Sequence, residues 1–282
     1  MSSHAVLLIA HGSRDEAARE EYLRIRQALA DRLEQSTVEF AVLEFPDSGA
    51  LPSIAEGWRR CVASGATDVV VLPFFLFPAG HVREDVPAEL RDALRSTQGA
   101  ALRLLPPLGP AEELLDVIVT RASEVLEGRE GDGVAVLLVG AGTSDPDANG
   151  DLCKAARLLW ERRLYKLVEV AWVSLTEPTV GQGLARCRAL GATTVAVVPY
   201  FLNTGVLMKR VERRLEEALA AVPEVTARMG GHMGVHPRLI DLLERKVREG
   251  LEPIAGGAPS VAVCGRPSCM SVVSGQLSLS MK

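Results

Sequence analysis

Three side chains able to bind a metal or carry a proton stand at the ends of apolar runs, where turn residues are usual. His11 closes the run in "LLIAHGSRDE" (7–16), Glu44 ends "FAVLEF" (40–45), and His81 follows "FLFPAG" in "FLFPAGHVRED" (75–85). Imidazole is a borderline ligand that suits Fe, Co, Ni and Zn. It also titrates near neutrality and so can accept a proton at working pH. A carboxylate beside an imidazole keeps the ring oriented and more basic. The trio therefore suits a reaction that handles a divalent cation and removes protons. Plainer roles stay open at this point: a backbone cap for His11, a first-turn helix position for His81, a helix cap or an arginine pair for Glu44.

The elements that must carry these residues are written twice. "GATDVVVLPFFL" (65–76) and "GATTVAVVPYFL" (191–202) agree at eight of twelve positions, 126 residues apart. Gly57, Arg60 and Cys61 match Gly183, Arg186 and Cys187 at the same offset, and "LLIAHGSRD" matches "LLVGAGTSD" (137–145) at an offset of 130. "LGPAEELLDVI" meets "MGVHPRLIDLL" at 125, so the chain is a duplicated half. Near-continuous apolar runs at "AVLLIA", "VEFAVLEF", "DVVVLPFFL" and "ALRLLPPL" read as strands buried on both faces. "VAVLLVG", "VEVAWVSL", "TTVAVVPYFL" and "TARMGGHMG" repeat them. Helical patterns alternate with these runs. The first has Ala18, Tyr22, Ile25, Leu29 and Leu33 on one stripe and opens on Ser13 and Glu16 at capping-box spacing. "PSIAEGWRRCVASGA" gives another, closed by Gly65.

Such alternation predicts an α/β fold of two similar doubly wound parallel-sheet lobes facing across a cleft. The expected division is 1–126 for the lobe that carries the metal site, a linker at "EGREGDG" (127–133), a second lobe over 133–250, and a flexible tail over 251–282.

Two copies of one scaffold act as an internal control. His11 falls opposite Ala141, His81 opposite Leu207, and Glu44 opposite Ser174 or a close neighbour. All three chemical groups thus belong to the first copy alone. All three also fall at or beyond the carboxyl ends of predicted strands, the edge where open α/β sheets bind ligands. In the second copy, His232 and His236 sit in "GGHMGVHP", where the glycines and Pro237 predict a loop. His236 is read as a pocket residue and His232 as a surface one.

Composition bounds the rest. With 282 residues, 48% hydrophobic, the chain can bury a large core. A net charge of −5 with interspersed signs gives no nucleic-acid footprint. No apolar run spans a membrane, and the N-terminus has no basic leader region. Five cysteines, an odd number, fit reduced thiols and a cytoplasmic setting. Neither a Walker-type nor a Rossmann glycine motif is present, so no nucleotide cofactor is expected. A serine or cysteine nucleophile on a strand–turn–helix elbow is lacking too, which disfavours a hydrolase.

"HGSRD" after the first strand, "LE" at the end of the second and "FLFPAGHV" after the third together resemble the sirohydrochlorin chelatases of the CbiX/SirB type. "GTSDPDAN" and "YFLNTGVLMKR" resemble the second half of that family's long, two-domain form. The resemblance implies insertion of Co2+ or Fe2+, the divalent metal being a substrate, into sirohydrochlorin on the route to cobalamin or sirohaem. By position it makes His11 and His81 the metal-binding and catalytic histidines and Glu44 their acidic partner. Because the macrocycle is rimmed by carboxylates, Ser13, Arg14, Arg83, Lys209, Arg210 and His236 are the candidate substrate contacts. "GTSDPDAN" either offers backbone N–H groups to a carboxylate or is only a well-capped turn. Pro78 and Asn203 depart from the family pattern. Alternatives in view are a metal or tetrapyrrole carrier of the same fold, or a chelatase for another tetrapyrrole or for nickel. Cys264 and Cys269, spaced C-x4-C in the tail, could contribute to an iron–sulfur cluster only by pooling ligands from two chains. Duplication favours a monomer over a homodimer.

Overall fold

The computed structural model describes residues 4–252, apart from residues 35, 48, 79, 98, 130 and 223, together with 270–273 and 276–279. The first copy supplies strands β1 (His4–Ala10), β2 (Ser36–Val42), β3 (Asp68–Pro73) and β4 (Ala101–Leu104). They form one parallel sheet in the order β2-β1-β3-β4. Helices α1 (Glu16–Ala30), α2 (Ile54–Ala63) and α3 (Val86–Ser96) join them, with a π-helical turn, His81–Asp85, leading into α3. The second copy repeats the plan. Strands β5 (Gly131–Gly140), β6 (Tyr165–Trp172), β7 (Thr194–Pro199) and β8 (Thr226–Met229) pair in the order β6-β5-β7-β8. Helix α4 (Glu112–Leu126) precedes them, and α5 (Pro146–Glu161), α6 (Val180–Ala189), α7 (Val206–Ala221) and α8 (Pro237–Leu251) follow. A short antiparallel pair, β9 (Met270–Val273) and β10 (Gln276–Leu279), completes the described chain. Cys264 and Cys269 lie outside the described residues, as does most of the expected tail.

Both sheets are covered on both faces, which is why their strands are apolar throughout. Ala5, Leu7 and Ile9 of β1 pack with Ile54, Trp58 and Cys61 of α2 and Val86, Leu90 and Ala93 of α3. The predicted α1 stripe of Ala18, Tyr22, Ile25, Leu29 and Leu33 is buried as expected. Tyr22 stacks on Phe40 at 4.9 Å between ring centroids, and Phe74 meets Phe40 edge-on at 5.5 Å. In the second sheet Leu137 and Val139 pack with Val180, Leu184 and Cys187 of α6 and Val211 and Leu215 of α7. Gly57 and Gly183 make the same close helix-to-sheet approach in the two copies. A Cβ on Gly57 would lie 2.8 Å from Leu7, and one on Gly183 would lie 2.9 Å from Leu137.

Compact units and sequence repeats divide the chain differently. Among the described residues, one unit comprises those within 1–109 and 240–282, and the other those within 110–239. Helix α4, written at the end of the first copy, is a layer of the second unit. All but the first turn of α8, written at the end of the second copy, is a layer of the first. The ion pairs that dock these helices are themselves duplicated. Arg32, just after α1, meets Asp241 of α8 and reaches Glu244 at 3.2 Å. Its counterpart Arg162, just after α5, meets Asp116 of α4 at 2.8 Å. Arg103 of β4 donates to the carbonyls of Gly250 and Glu252 at the end of α8, at 3.1 and 3.0 Å. Both copies keep the same arginine–aspartate docking pair, so a repeat boundary cannot tell which sheet a terminal helix will cover.

Local differences from expectation have local causes. The N-cap of α1 is Asp15, not Ser13: the Asp15 carboxylate accepts from the Ala17 amide at 3.0 Å, while the Ser13 hydroxyl accepts from the Asp15 amide at 3.0 Å. Part of the expected linker is strand, because the Gly131 amide reaches the Leu164 carbonyl at 3.0 Å and β5 begins there, with an irregularity before Ala135. Strands β3 and β7 stop at Pro73 and Pro199, short of the apolar runs that predicted them. "GGHMGVH" is a loop, as its glycines indicate, and Pro237 opens α8. Among the described residues no helix is long and apolar enough to cross a membrane.

Two measurements check this account. Leu243, fully buried on α8, should cost about 2–5 kcal/mol when cut to alanine. Arg32→Ala should cost no more than about 1 kcal/mol, since its pairs are solvent-accessible. Urea unfolding of the two variants ranks them. Burial, with the carboxylate of Glu39 or Glu169 nearby, pushes the Cys61 and Cys187 thiols up to about 12. Their folded-state values exceed the unfolded one, so the stability they contribute is full below the ordinary thiol value and lost as pH rises from about 9 toward 12. Native protein at pH 8 should accordingly alkylate at exposed Cys153 and spare Cys61 and Cys187. Peptide mapping after labelling reads that directly.

Candidate functional site

Parallel pairing of β1 with β2 runs past the last strand residues. The Leu43 amide donates to the Ala10 carbonyl at 3.0 Å, and the Glu44 amide donates to the His11 carbonyl at 2.8 Å. This places the two side chains together at the carboxyl end of the sheet. His11 Nε2 stands 3.8 Å from Glu44 Oε1, with the side chains 43% and 45% exposed. The separation is that of an ion pair when the imidazole is protonated. It is longer than a hydrogen bond. Half-exposure leaves both groups open to an incoming cation.

Gly12 is what lets the strands close this tightly. Its φ is +100°, and a Cβ there would sit 2.0 Å from the Glu44 carbonyl oxygen. The second copy keeps the backbone and drops the chemistry. Gly142 has φ +82° and would place a Cβ 1.8 Å from the Ser174 carbonyl oxygen, and the Ser174 amide donates to the Ala141 carbonyl at 3.1 Å. Ser174 is thereby the counterpart of Glu44, and its hydroxyl also turns back to Ala141 O at 3.0 Å.

The loop after Glu44 is held from two sides. Arg19 of α1 donates from one guanidinium nitrogen to the Phe45 carbonyl at 3.0 Å and from the other to the Asp47 carboxylate. Asp47 Oδ1 accepts from the amides of Gly49, Ala50 and Leu51. Burial alone would raise the Asp47 pKa, but those three amides and Arg19 outweigh it and hold the carboxyl below its usual range. Neither residue survives in the second copy, where Asn149 and Glu177 stand at the matching positions. Phe45 itself is a non-glycine residue at φ +55°, with its ring under the Arg14 guanidinium at 4.4 Å.

The other predicted residues fall as follows. His81 begins the π-helical turn beyond β3; nothing further is described of its side chain. Arg83 is exposed on that turn. Ser13 accepts the Asp15 amide in the turn ahead of α1. In the second unit, Lys209 and Arg210 lie in the first turns of α7, Lys209 exposed and Arg210 half-buried. His236 Nδ1 accepts from the Arg238 amide at 3.2 Å and so caps α8. His232 lends its backbone carbonyl to Arg121 at 2.8 Å. "GTSDPDAN" spends its amides on itself: Thr143, Asp145 and Asp147 donate to Asn149, Thr143 and Asp145 side chains in turn, which makes it a capped turn. A surface groove lined by Cys153, Trp160, Lys166 and Glu169 runs along edge strand β6, away from the strand carboxyl ends.

Sequence reasoning passed over Phe45 and Arg19. Phe45 is legible only through its positive φ, and the Arg19 contact spans elements that no spacing links.

A family model described as CbiX matches this chain over residues 5–125 and again over 135–250. A sirohydrochlorin cobaltochelatase of Priestia megaterium is 39% identical over 251 residues, which is 88% of this chain and 80% of that protein. A sirohydrochlorin ferrochelatase of the same organism is 28% identical over 244 residues, covering 86% of this chain and 89% of the relative. Among solved structures, SirB from Bacillus subtilis with Fe3+ superposes with a TM-score of 0.76 at 28% identity, over 89% of this chain and 96% of that one.

The paired glycines give a test with its own control. Gly12→Ala and Gly142→Ala should each cost roughly 2–4 kcal/mol, since each adds left-handed strain and a clash with a backbone oxygen. Only the first should also disturb the His11–Glu44 pair. Urea titration of both variants, with Co2+ binding as the second readout, separates the scaffold effect from the site effect.

Proposed function

The chain belongs to the CbiX family, and from that membership we propose that it is a sirohydrochlorin chelatase, inserting Co2+ or Fe2+ into the tetrapyrrole. One observation carries the reading at the level of residues: His11 and Glu44 meet at a strand edge in the copy that has them, while the same backbone in the other copy holds Ala141 and Ser174. That is a chemical pair added to a scaffold.

Metallating a tetrapyrrole means stripping water from a hydrated cation, removing two pyrrole protons and presenting one face of the ring. In this reading His11 takes the incoming ion on Nε2 and, once the ion has passed to the ring, accepts a pyrrole proton there. Glu44, 3.8 Å away, favours the cationic side of each step: the ion while it is held and the imidazolium after proton transfer. His81 supplies the second imidazole. Ser13, Arg14, Arg83, Lys209, Arg210 and His236 are assigned to the substrate's carboxylates and polar edges. A site whose metal is cargo needs ligands that hold and release, and two imidazoles with one carboxylate meet that need better than a closed set of thiolates. The same reading has the protein work as a monomer in the cytoplasm, with neither nucleotide nor nucleic acid.

The deciding experiment is anaerobic absorbance spectroscopy of sirohydrochlorin with Fe2+ or Co2+, with and without substoichiometric protein. Acceleration of the spectral change is the expected result, and the faster ion identifies the metal. His11→Ala and His81→Ala should each lower the rate by at least about 100-fold, the scale of a lost proton acceptor. His232→Ala should leave it unchanged. Tight binding of ring or metal without acceleration would make the protein a carrier.

A further inference from the structure

Phe45 combines three features that its position does not require. Its φ of +55° is a left-handed conformation that a bulky residue adopts at an energetic cost. The residue is 38% exposed. Its carbonyl is pinned by Arg19 at 3.0 Å, in a loop that Asp47 ties down through three further amides. The matching residue of the second copy, Leu175, has φ +64° and is 81% exposed. Glycine would take this backbone without strain, yet both copies place a large apolar side chain there. The left-handed turn is common to both copies and belongs to the scaffold; the side chain is what differs between them. In the copy that carries His11 and Glu44 it is an aromatic ring with the Arg14 guanidinium stacked on it at 4.4 Å.

We propose that Phe45, with Arg14 stacked against it, is the contact on which the flat macrocycle is held beside His11, the ring packing on Phe45 and a peripheral carboxylate meeting Arg14. The inference rests on the chelatase reading and deepens it by naming a specificity residue next in the chain to Glu44. An exposed aromatic edge offers a conjugated ring both apolar area and an offset-stacking partner. An arginine fixed on an aromatic face keeps its in-plane N–H donors free for a carboxylate. Arg19 acts as a positioning residue: by gripping the Phe45 carbonyl and Asp47 it holds the strained turn that presents the ring.

Two substitutions at this position separate the ring from the turn. Phe45→Gly accommodates the left-handed turn and removes the ring, and should weaken binding of metal-free sirohydrochlorin about tenfold, by absorbance titration of protein that urea unfolding shows to be folded. Its affinity for Co2+ alone should stay at the wild-type value. Phe45→Tyr, which keeps both strain and aromatic face, should bind the macrocycle as wild type does. Wild-type macrocycle affinity in folded Phe45→Gly, or lost affinity in Phe45→Tyr, would each overturn the proposal while leaving the chelatase reading intact. A wild-type protein that neither binds nor metallates sirohydrochlorin would overturn the reading itself, before any variant is compared.

Discussion

The hydrogen bond from the Glu44 amide to the His11 carbonyl, 2.8 Å long, extends the β1–β2 ladder one step beyond the strands. The extra step depends on Gly12. A side chain at that position would collide with the Glu44 carbonyl, so the two chain segments can lie this close only across a residue with no Cβ. From this contact follows the placement of the first imidazole and the carboxylate, both at the sheet edge and both partly open to solvent. The parallel sheet makes the contact possible, because parallel neighbours deliver their carboxyl ends to the same side. The helices in turn make the sheet possible, since strands this apolar must be covered on both faces.

Duplication separates what belongs to the scaffold from what belongs to the chemistry. Gly142, Ala141 and Ser174 reproduce the ladder, the glycine approach and the turn, while supplying neither a metal ligand nor a general base at those positions. Asp15 and Asp145 cap their helices alike, and Arg32 and Arg162 dock their helices alike. Arg19 with Asp47 is different. It exists in one copy and braces the loop of the copy that bears His11 and Glu44. A brace confined to the copy with His11 and Glu44 holds a loop beside half-exposed side chains in place without burying them.

Much of this was legible in the residues. The strands, the α1 stripe and the offsets between copies were readable because burial on both faces and on one helical stripe leaves periodic apolar patterns, and because a duplication prints its own alignment. Glu44 was readable as a strand-end carboxylate and, through the family resemblance, as the acidic partner of the histidines; the 3.8 Å separation is a property of register, fixed by hydrogen bonds that no spacing encodes. The packing of α4 and α8 was not readable at all. Asp116 and Asp241 are equivalent in the repeat and so are Arg32 and Arg162, so the sequence is indifferent to which arginine meets which aspartate. Ser13 at capping-box spacing misled for a related reason: Asp15, two residues on, is a cap of equal strength, and the choice between them is made by where the chain leaves the sheet.

Exposure and rigidity ordinarily oppose each other, and the first copy reconciles them through backbone rather than side-chain contacts. His11 and Glu44 are each more than two-fifths exposed, so packing cannot fix them. Their backbones are fixed instead, by the extended ladder on one side and, beyond Glu44, by Arg19 and the three amides on Asp47. Phe45 lies between those two anchors. Its left-handed conformation is tolerable because the hydrogen bonds around it over-determine the path of the chain. The cost falls on a loop outside the core, so the fold bears it without loss of packing. For the proposed role, in which a hydrated cation and a rigid macrocycle would enter and leave joined, such a frame serves better than buried side chains that would have to move at each turnover.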